Sequence, residues 1–389
     1  MESGQAHHHH HHHQITNNTD DEEDFFFAMQ LSSSVALSWA LKAVVDLEVF
    51  EVLAKAGPDA YLSASEIIVS HHSPKNADRA AQMLDRILCL LVSHSVLSCS
   101  PVMLENGRVE RRYGLTAAAK YLAKREDGLS MSWFLPLVLQ KGYYTAWANL
   151  KHTVLEGGEL NEHSIVMDER EMDPNIRKIY NKSQYSLTTV VMEKMMEIYK
   201  GFEGLKSLTD VGGGVGTVSS FISRKYPSIK VINFDLPPVI EEALVIPGVE
   251  HVGGDMLESN IPKAEAIFMK NITHNWSDEH CLKLLRNCYE AVPDDGKVII
   301  MEFITPQVPE PKHSMMNFYQ LDVIVMAVSG GGKERDEEDF NVLGKKAGFA
   351  SPHNTVHDVE HYWSKDKHIL KTVIHATTHA VGSCSCHET

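Results

Sequence analysis

The stretch Leu208-Thr-Asp-Val-Gly-Gly-Gly-Val-Gly216 decides the fold. An apolar run, Ser207–Val211, leads into it, and a helical run, Val218–Tyr226, leaves it. Glycine permits a tight turn and lets a ligand approach the backbone closely. Further along, short apolar runs recur at Val231–Phe234, Ala266–Met269 and Lys297–Glu302, separated by helical stretches such as Glu279–Ala291. That alternation predicts an α/β protein with a parallel, doubly wound, Rossmann-like sheet starting at about residue 205. In such sheets ligands bind at the carboxyl ends of the strands, so the residues there are the first candidates for a site.

The loop spacing is Asp-x-Gly-x-Gly-x-Gly, at Asp210, Gly212, Gly214 and Gly216. A dinucleotide fold favours G-x-G-x-x-G; the register here fits S-adenosylmethionine better. The second strand ends at Asp235, whose carboxylate could accept both ribose hydroxyls. Taken alone, it does not separate this cofactor from a nicotinamide one, and it could also cap a helix at Leu236-Pro237. In Gly253-Gly-Asp-Met256, Asp255 could bind an amino group and Met256 could pack on adenine. Lys270, ending Ala266-Ile-Phe-Met269, could neutralise a ligand carboxylate.

His274 follows just past Lys270, in Asn271-Ile-Thr-His-Asn-Trp-Ser-Asp278. With 23 histidines in the chain, position alone singles it out. A phenol has a pKa of about 10 and is a poor nucleophile at neutral pH. A neutral imidazole in reach could take its proton. Glu302, ending Val298-Ile-Ile-Met-Glu302, and Glu334, after Gly330-Gly-Gly-Lys333, could hold such an imidazole. Glu334 could equally be first-turn charge of the next helix.

Upstream of the sheet, residues 1–24 read as a polar, disordered tail containing the His7–His13 run and the acidic Asp20–Asp24. From Phe25 the pattern is helical, with Leu37, Leu41, Val44, Val45 and Phe50 on one stripe. Gly57-Pro58 stops it, and Ser63-Ala-Ser-Glu66 reads as a capping box. After another helix, Asn106-Gly107 splits two strand-like runs, Val96–Met103 and Val109–Gly114. Helices followed by a hairpin make residues 25–125 a winged-helix-like domain. Where a DNA-binding module would carry a basic recognition helix, Arg79 and Arg86 stand among Asp78 and Asp85, so protein contact suits it better than DNA. Residues 126–389 form the second domain. There Met192, Met195 and Met196 read as core filling or as a pocket wall.

The 389 residues carry 52 acidic and 36 basic side chains, a net charge of −16, which argues against nucleic acid as the substrate. The six cysteines form no regular disulfide framework; Cys89 and Cys288 lie in apolar helical patterns. No apolar signal region or bilayer-spanning stretch is visible, so the expected compartment is the cytoplasm.

Together these residues resemble the plant small-molecule O-methyltransferases, from about Phe25 to about Phe349. The most specific blocks are Gly201–Ser207, Asp210–Gly216, Ile232–Pro237, Pro247–Met256, His274–Cys281 and Gly331–Arg335. The resemblance implies methyl transfer from S-adenosylmethionine to a hydroxyl of a small phenolic molecule, with no metal. It assigns Gly212, Asp235, Asp255, Met256 and Lys270 to the cofactor. His274 becomes the general base, flanked by Glu302 and Glu334. Val138, Asn275 and Met326 become substrate contacts, and the N-terminal module pairs two subunits into a homodimer. The chain departs from the family at Asn271, Asn275, Ser329, Val138 and an acidic loop over residues 159–174. Those departures motivate an alternative, a dimerisation partner or ligand-binding relative with impaired chemistry. After Phe349 a strand is expected within Ile369–Val381, followed by a tail whose Cys384-Ser-Cys386-His387 falls short of a zinc set.

Overall fold

A computed structural model describes residues 18–158, 172–353 and 372–377. The His7–His13 run, the loop residues 159–171 and the tail from 378 onward lie outside the described residues. The chain folds as two compact units, Met1–Lys124 and Arg125–Thr389.

The first unit contains α1 (Asn18–Ser32), α2 (Val35–Asp46), α3 (Val49–Ala56), β1 (Leu62–Ser63), α4 (Ala64–His71), α5 (Ala77–Ser93), β2 (Leu97–Met103) and β3 (Val109–Leu115). Helix α1 begins at Asn18, inside the segment expected as a disordered tail. Ser63 and Glu66 form the capping box reciprocally, each side chain taking the other residue's backbone N–H. At the β2–β3 turn Gly107 adopts φ +77°, and Met103 pairs with Val109. The sheet order is β1-β3-β2. Val44, Phe50, Leu53, Leu88, Leu91 and Tyr113 form its dry interior. By contrast Phe25, Phe26, Phe27, Leu31, Val35 and Trp39 are exposed along α1 and α2. So large an apolar surface marks an interaction face.

The second unit opens with α6 (Phe134–Val138), α7 (Lys141–Leu155) and α8 (Pro174–Ile198). The doubly wound part follows as β4 (Ser207–Val211), α9 (Thr217–Lys225), β5 (Lys230–Asp235), α10 (Pro237–Ile240), β6 (Val249–Gly253), β7 (Ala266–Lys270), α11 (Asp278–Ala291) and β8 (Lys297–Glu302). The chain then forms α12 (His313–Val328), α13 (Glu337–Ala347), β9 (Ala350–His353) and β10 (Thr372–Thr377). Strand order is β6-β5-β4-β7-β8-β10-β9. The first five run parallel, while β10 is antiparallel to both β8 and β9.

Successive strand residues face opposite sides. Ile267, Met269, Val298 and Ile300 therefore pack against Leu284 and Cys288 of α11 and Phe340 and Leu343 of α13. Ala266, Phe268, Ile299 and Met301 pack on the other side, with Ile222 of α9 and Met192 and Met195 of α8. All three methionines of α8 are buried in that second core, and none lines the cavity described below. No single described helix is long and apolar enough to cross a membrane.

Candidate active site

A cavity of about 1110 Å³ opens within the second unit, at the carboxyl ends of β4, β5 and β7. Gly212, Asp235, Asp255, Met256 and Lys270 all line it. Gly212 holds φ +69°, and a Cβ there would come within 2.2 Å of Ile272 Cδ1, so only glycine fits. Its N–H donates to Phe234 O at 2.8 Å, tying the loop to β5. Gly216, at φ +92°, starts α9.

Asp235 is buried at the end of β5. Its Oδ2 accepts the Gly214 N–H at 2.7 Å, and its Oδ1 accepts the Leu236 N–H at 2.7 Å. Burial raises its pKa, and those two N–H groups oppose the rise. Thus one carboxylate braces the loop, meets α10 and still faces the cavity. Asp255 Oδ1 accepts the Leu257 N–H at 2.9 Å, and the Met256 carbonyl accepts from Asn287 Nδ2 at 2.9 Å. Lys270, the last residue of β7, is buried.

His274 sits on a single 3₁₀ turn, Thr273–Asn275, shortly after Asn271 at φ +56°. The two flanking carboxylates divide the work. Glu302 Oε1 accepts the Ile272 N–H at 2.7 Å, the Thr273 N–H at 2.9 Å and the Thr273 hydroxyl at 3.1 Å. It therefore fixes the turn's backbone. Glu334 Oε1 lies 2.7 Å from His274 Nδ1 and fixes the ring, while Glu302 Oε2 stands farther off, at 3.7 Å. Donor atoms of all three residues lie within 4.8 Å of one another. The Glu334 N–H itself donates to Asp322 Oδ1 at 3.1 Å.

Arg335 went unassigned in the sequence. Its fully buried guanidinium donates to Thr273 O and Trp276 O, both at 2.8 Å, and to Asp278 Oδ1 at 2.7 Å. Burial pushes the Asp278 pKa up, but the bond and charge of Arg335 outweigh that and leave it lowered. Arg335 thus clamps both sides of the His274 turn. Its signal in sequence was faint, because the carbonyls it serves lie about 60 residues upstream. Gly332 completes the fit: a Cβ there would come within 2.5 Å of the His274 carbonyl.

Of the three substrate contacts inferred from sequence, Val138 and Asn275 line the cavity. Met326 does not, and helix geometry explains why. Leu321, Ile324, Val325 and Val328 of α12 line it at helical spacing, and Met326 lies off that face. The departures Asn271, Asn275 and Ser329 are joined, with Asn275 Nδ2 donating to Asn271 O at 3.2 Å and Ser329 Oγ to Asn275 Oδ1 at 3.4 Å. Cavity residues missed in sequence include Phe134, Tyr143, Gln184 and Thr188, from the helical region before the sheet. Burial pushes the Tyr143 phenol up to about 12, so it stays neutral.

A family model for the O-methyltransferase domain matches residues 147–350, and one for the O-methyltransferase dimerisation domain matches residues 29–125. The chain belongs to the O-methyltransferase family. Enzymes of this family move a methyl group from S-adenosylmethionine to an oxygen. The chain is 51% identical to caffeic acid 3-O-methyltransferase 1 of Populus tremuloides over 83% of its length and 88% of that protein. It is 49% identical to caffeic acid 3-O-methyltransferase of Medicago sativa over the same shares. Among solved structures, human N-acetylserotonin methyltransferase in complex with SAM superposes at a TM-score of 0.73 and 18% identity, covering 94% of this chain and 99% of that one. Mitomycin 7-O-methyltransferase superposes at 0.69 and 20% identity, covering 92% and 98%. This O-methyltransferase therefore shares its fold with methyltransferases whose sequences have diverged widely.

Proposed function

We propose that this O-methyltransferase methylates a phenolic hydroxyl of a phenylpropanoid-like acceptor, with His274 as the general base acting through Nε2. One observation carries the reading: the His274 ring, held at Nδ1 by Glu334 at 2.7 Å, borders the same cavity as Asp235, Asp255 and Lys270. The curated relatives carry the name caffeic acid 3-O-methyltransferase, which supports the acceptor class.

The donor set suits S-adenosylmethionine. Asp235 suits the ribose hydroxyls, Asp255 an amino group, Met256 a flat purine and Lys270 a carboxylate, and Gly212 lines the same cavity. When bound, this cofactor supplies a methyl group already activated on a sulfonium. The protein's task is then to align the acceptor oxygen and remove its proton, and alignment carries much of the rate. Leu137, Val138, Val325 and Val328 offer an apolar wall for an aromatic ring, with Asn275 and Ser329 as polar contacts.

With Nδ1 held by Glu334, Nε2 is assigned to accept the phenol proton. The imidazolium then stands between two carboxylates that stabilise it, and the chemistry needs no metal. A relative that had lost the reaction would have no use for this pairing. The dimerisation domain makes the protein a homodimer, and the exposed apolar face of α1 and α2 suits that pairing. The free thiols of Cys89, Cys99, Cys281 and Cys288 suit a reducing cytoplasm. The test is a panel of phenols with S-adenosylmethionine carrying a labelled methyl. Label should appear on the oxygen of at least one catechol-type acceptor. A protein that binds the cofactor yet labels none would overturn the reading.

A further inference from the structure

The histidine end of the cavity sets two carboxylates beside one imidazole. Glu302 and Glu334 are both buried. His274 Nδ1 lies 2.7 Å from Glu334 Oε1. Glu302 Oε2, buried and aimed at the same nitrogen from 3.7 Å, has no hydrogen-bond partner among the described residues. A buried carboxylate oxygen left in this way is costly unless a cation meets it.

We propose that His274, Glu302 and Glu334 form a site for a zinc ion that inhibits the enzyme. Imidazole nitrogen and carboxylate oxygen are both ordinary zinc ligands, with bonds of about 2.0–2.2 Å. At tetrahedral angles such bonds place ligand atoms about 3.4 Å apart. The two distances from Nδ1, 2.7 and 3.7 Å, bracket that value, and all three donors fall within 4.8 Å. Three protein ligands leave a fourth position for water.

Zinc takes the Nδ1 lone pair, and the hydrogen bond from Nδ1 to Glu334 is lost. In a neutral ring the single N–H proton then resides on Nε2. That is the nitrogen assigned to accept the phenol proton, so the metal holds the ring in the tautomer that cannot act as base. The inhibition rests on His274 being the base; the binding does not.

The test measures bound zinc after equilibrium dialysis in protein whose His7–His13 are each replaced by Ser, which removes the run of consecutive competing imidazoles. The same background carries Glu302→Gln and Glu334→Gln, and melting curves check that both fold. Glu334→Gln decides alone if Glu302→Gln does not fold, since Glu302 also fastens the turn. The parent should bind one more zinc than either variant. Its methyl transfer should fall about tenfold at roughly ten times the zinc dissociation constant, and a chelator should restore it. Equal zinc in parent and variants overturns the site. An extra zinc with undiminished turnover keeps the site but overturns the inhibition, and moves the base away from His274.

Discussion

At the glycine-loop end of the cavity, Asp210 and Asp235 lie buried with few donors. Asp210 receives the Ser219 hydroxyl at 2.8 Å, and burial pushes its pKa up to about 7. The neighbouring charge of Asp235 adds to that rise, while Lys270 opposes it. At the histidine end, Glu302 receives three hydrogen bonds on a single oxygen, Glu334 faces an imidazole, and Arg335 locks the turn between them. Buried carboxylates are thus provisioned in different ways. At the first end each oxygen of Asp235 already accepts a backbone N–H. At the second, bonding gathers on Glu302 Oε1, while Oε2 of the same carboxylate has no hydrogen-bond partner among the described residues.

Replacing the proposed base should produce the largest effect. His274→Ala should lower turnover by roughly 10²–10⁴-fold while cofactor affinity barely changes. Steady-state kinetics and calorimetry on one preparation separate the two ends. A more acidic phenol should suffer less, and near-normal turnover on an unactivated phenol would place the base elsewhere.

Asp235→Ala should do the reverse. Loss of a charge-assisted bond should weaken cofactor binding by about 1.5–3 kcal/mol, seen calorimetrically. Unchanged affinity would remove Asp235 from the cofactor set.

Glu334→Gln tests whether the histidine end is held by orientation. Loss of an outer carboxylate should cut turnover by about 10–100-fold with little change in acceptor KM. The pH profile of turnover should shift as well, which a merely structural role would not produce.

The smallest effect concerns Asp210. Its folded pKa of about 7 lies above the ordinary carboxylate value. Unfolding therefore releases a proton between about pH 4 and 7, and stability falls as pH rises through that window. Asp210→Asn should flatten this slope. Unliganded variant should melt higher than the parent near pH 8, by about 2–4 °C per kcal/mol relieved, with the gap closing near pH 4. Parallel pH slopes in the two proteins would show that Asp210 is not the group that titrates.

Much of the first end was legible because its signals are local. Glycines at 212, 214 and 216 stand in one short run between a strand and a helix, and the acids close strands, although the groups they meet, such as Phe234 and Ile272, lie farther along the chain. The Ser63–Glu66 box and the Asn106-Gly107 turn were readable for the same reason. The place of His274 at the cavity was legible from its position after β7. Glu334 stayed undecided in sequence because its pairing crosses about 60 residues, and Arg335 escaped notice because its carbonyl partners are equally distant. Met326 was misplaced because a helix's cavity face depends on what it packs against, which a single apolar run such as Val323–Val328 does not reveal. The helix beginning at Asn18 was hidden in a polar stretch that lacks apolar periodicity.

Strand β10 slots between β8 and β9, and its first residue, Thr372, stands opposite Glu302. During synthesis the glycine loop, β5 and the strand carrying Lys270 leave the ribosome well before that closing strand. The sheet beside Glu302 keeps a bare edge until the closing strand emerges. A nascent chain is therefore able to shape the cavity's glycine-loop end early, whereas the carboxylate that fastens the His274 turn acquires its strand neighbour only after Thr372 has emerged. Ribosome-bound chains of increasing length should gain cofactor protection before they gain methyl transfer.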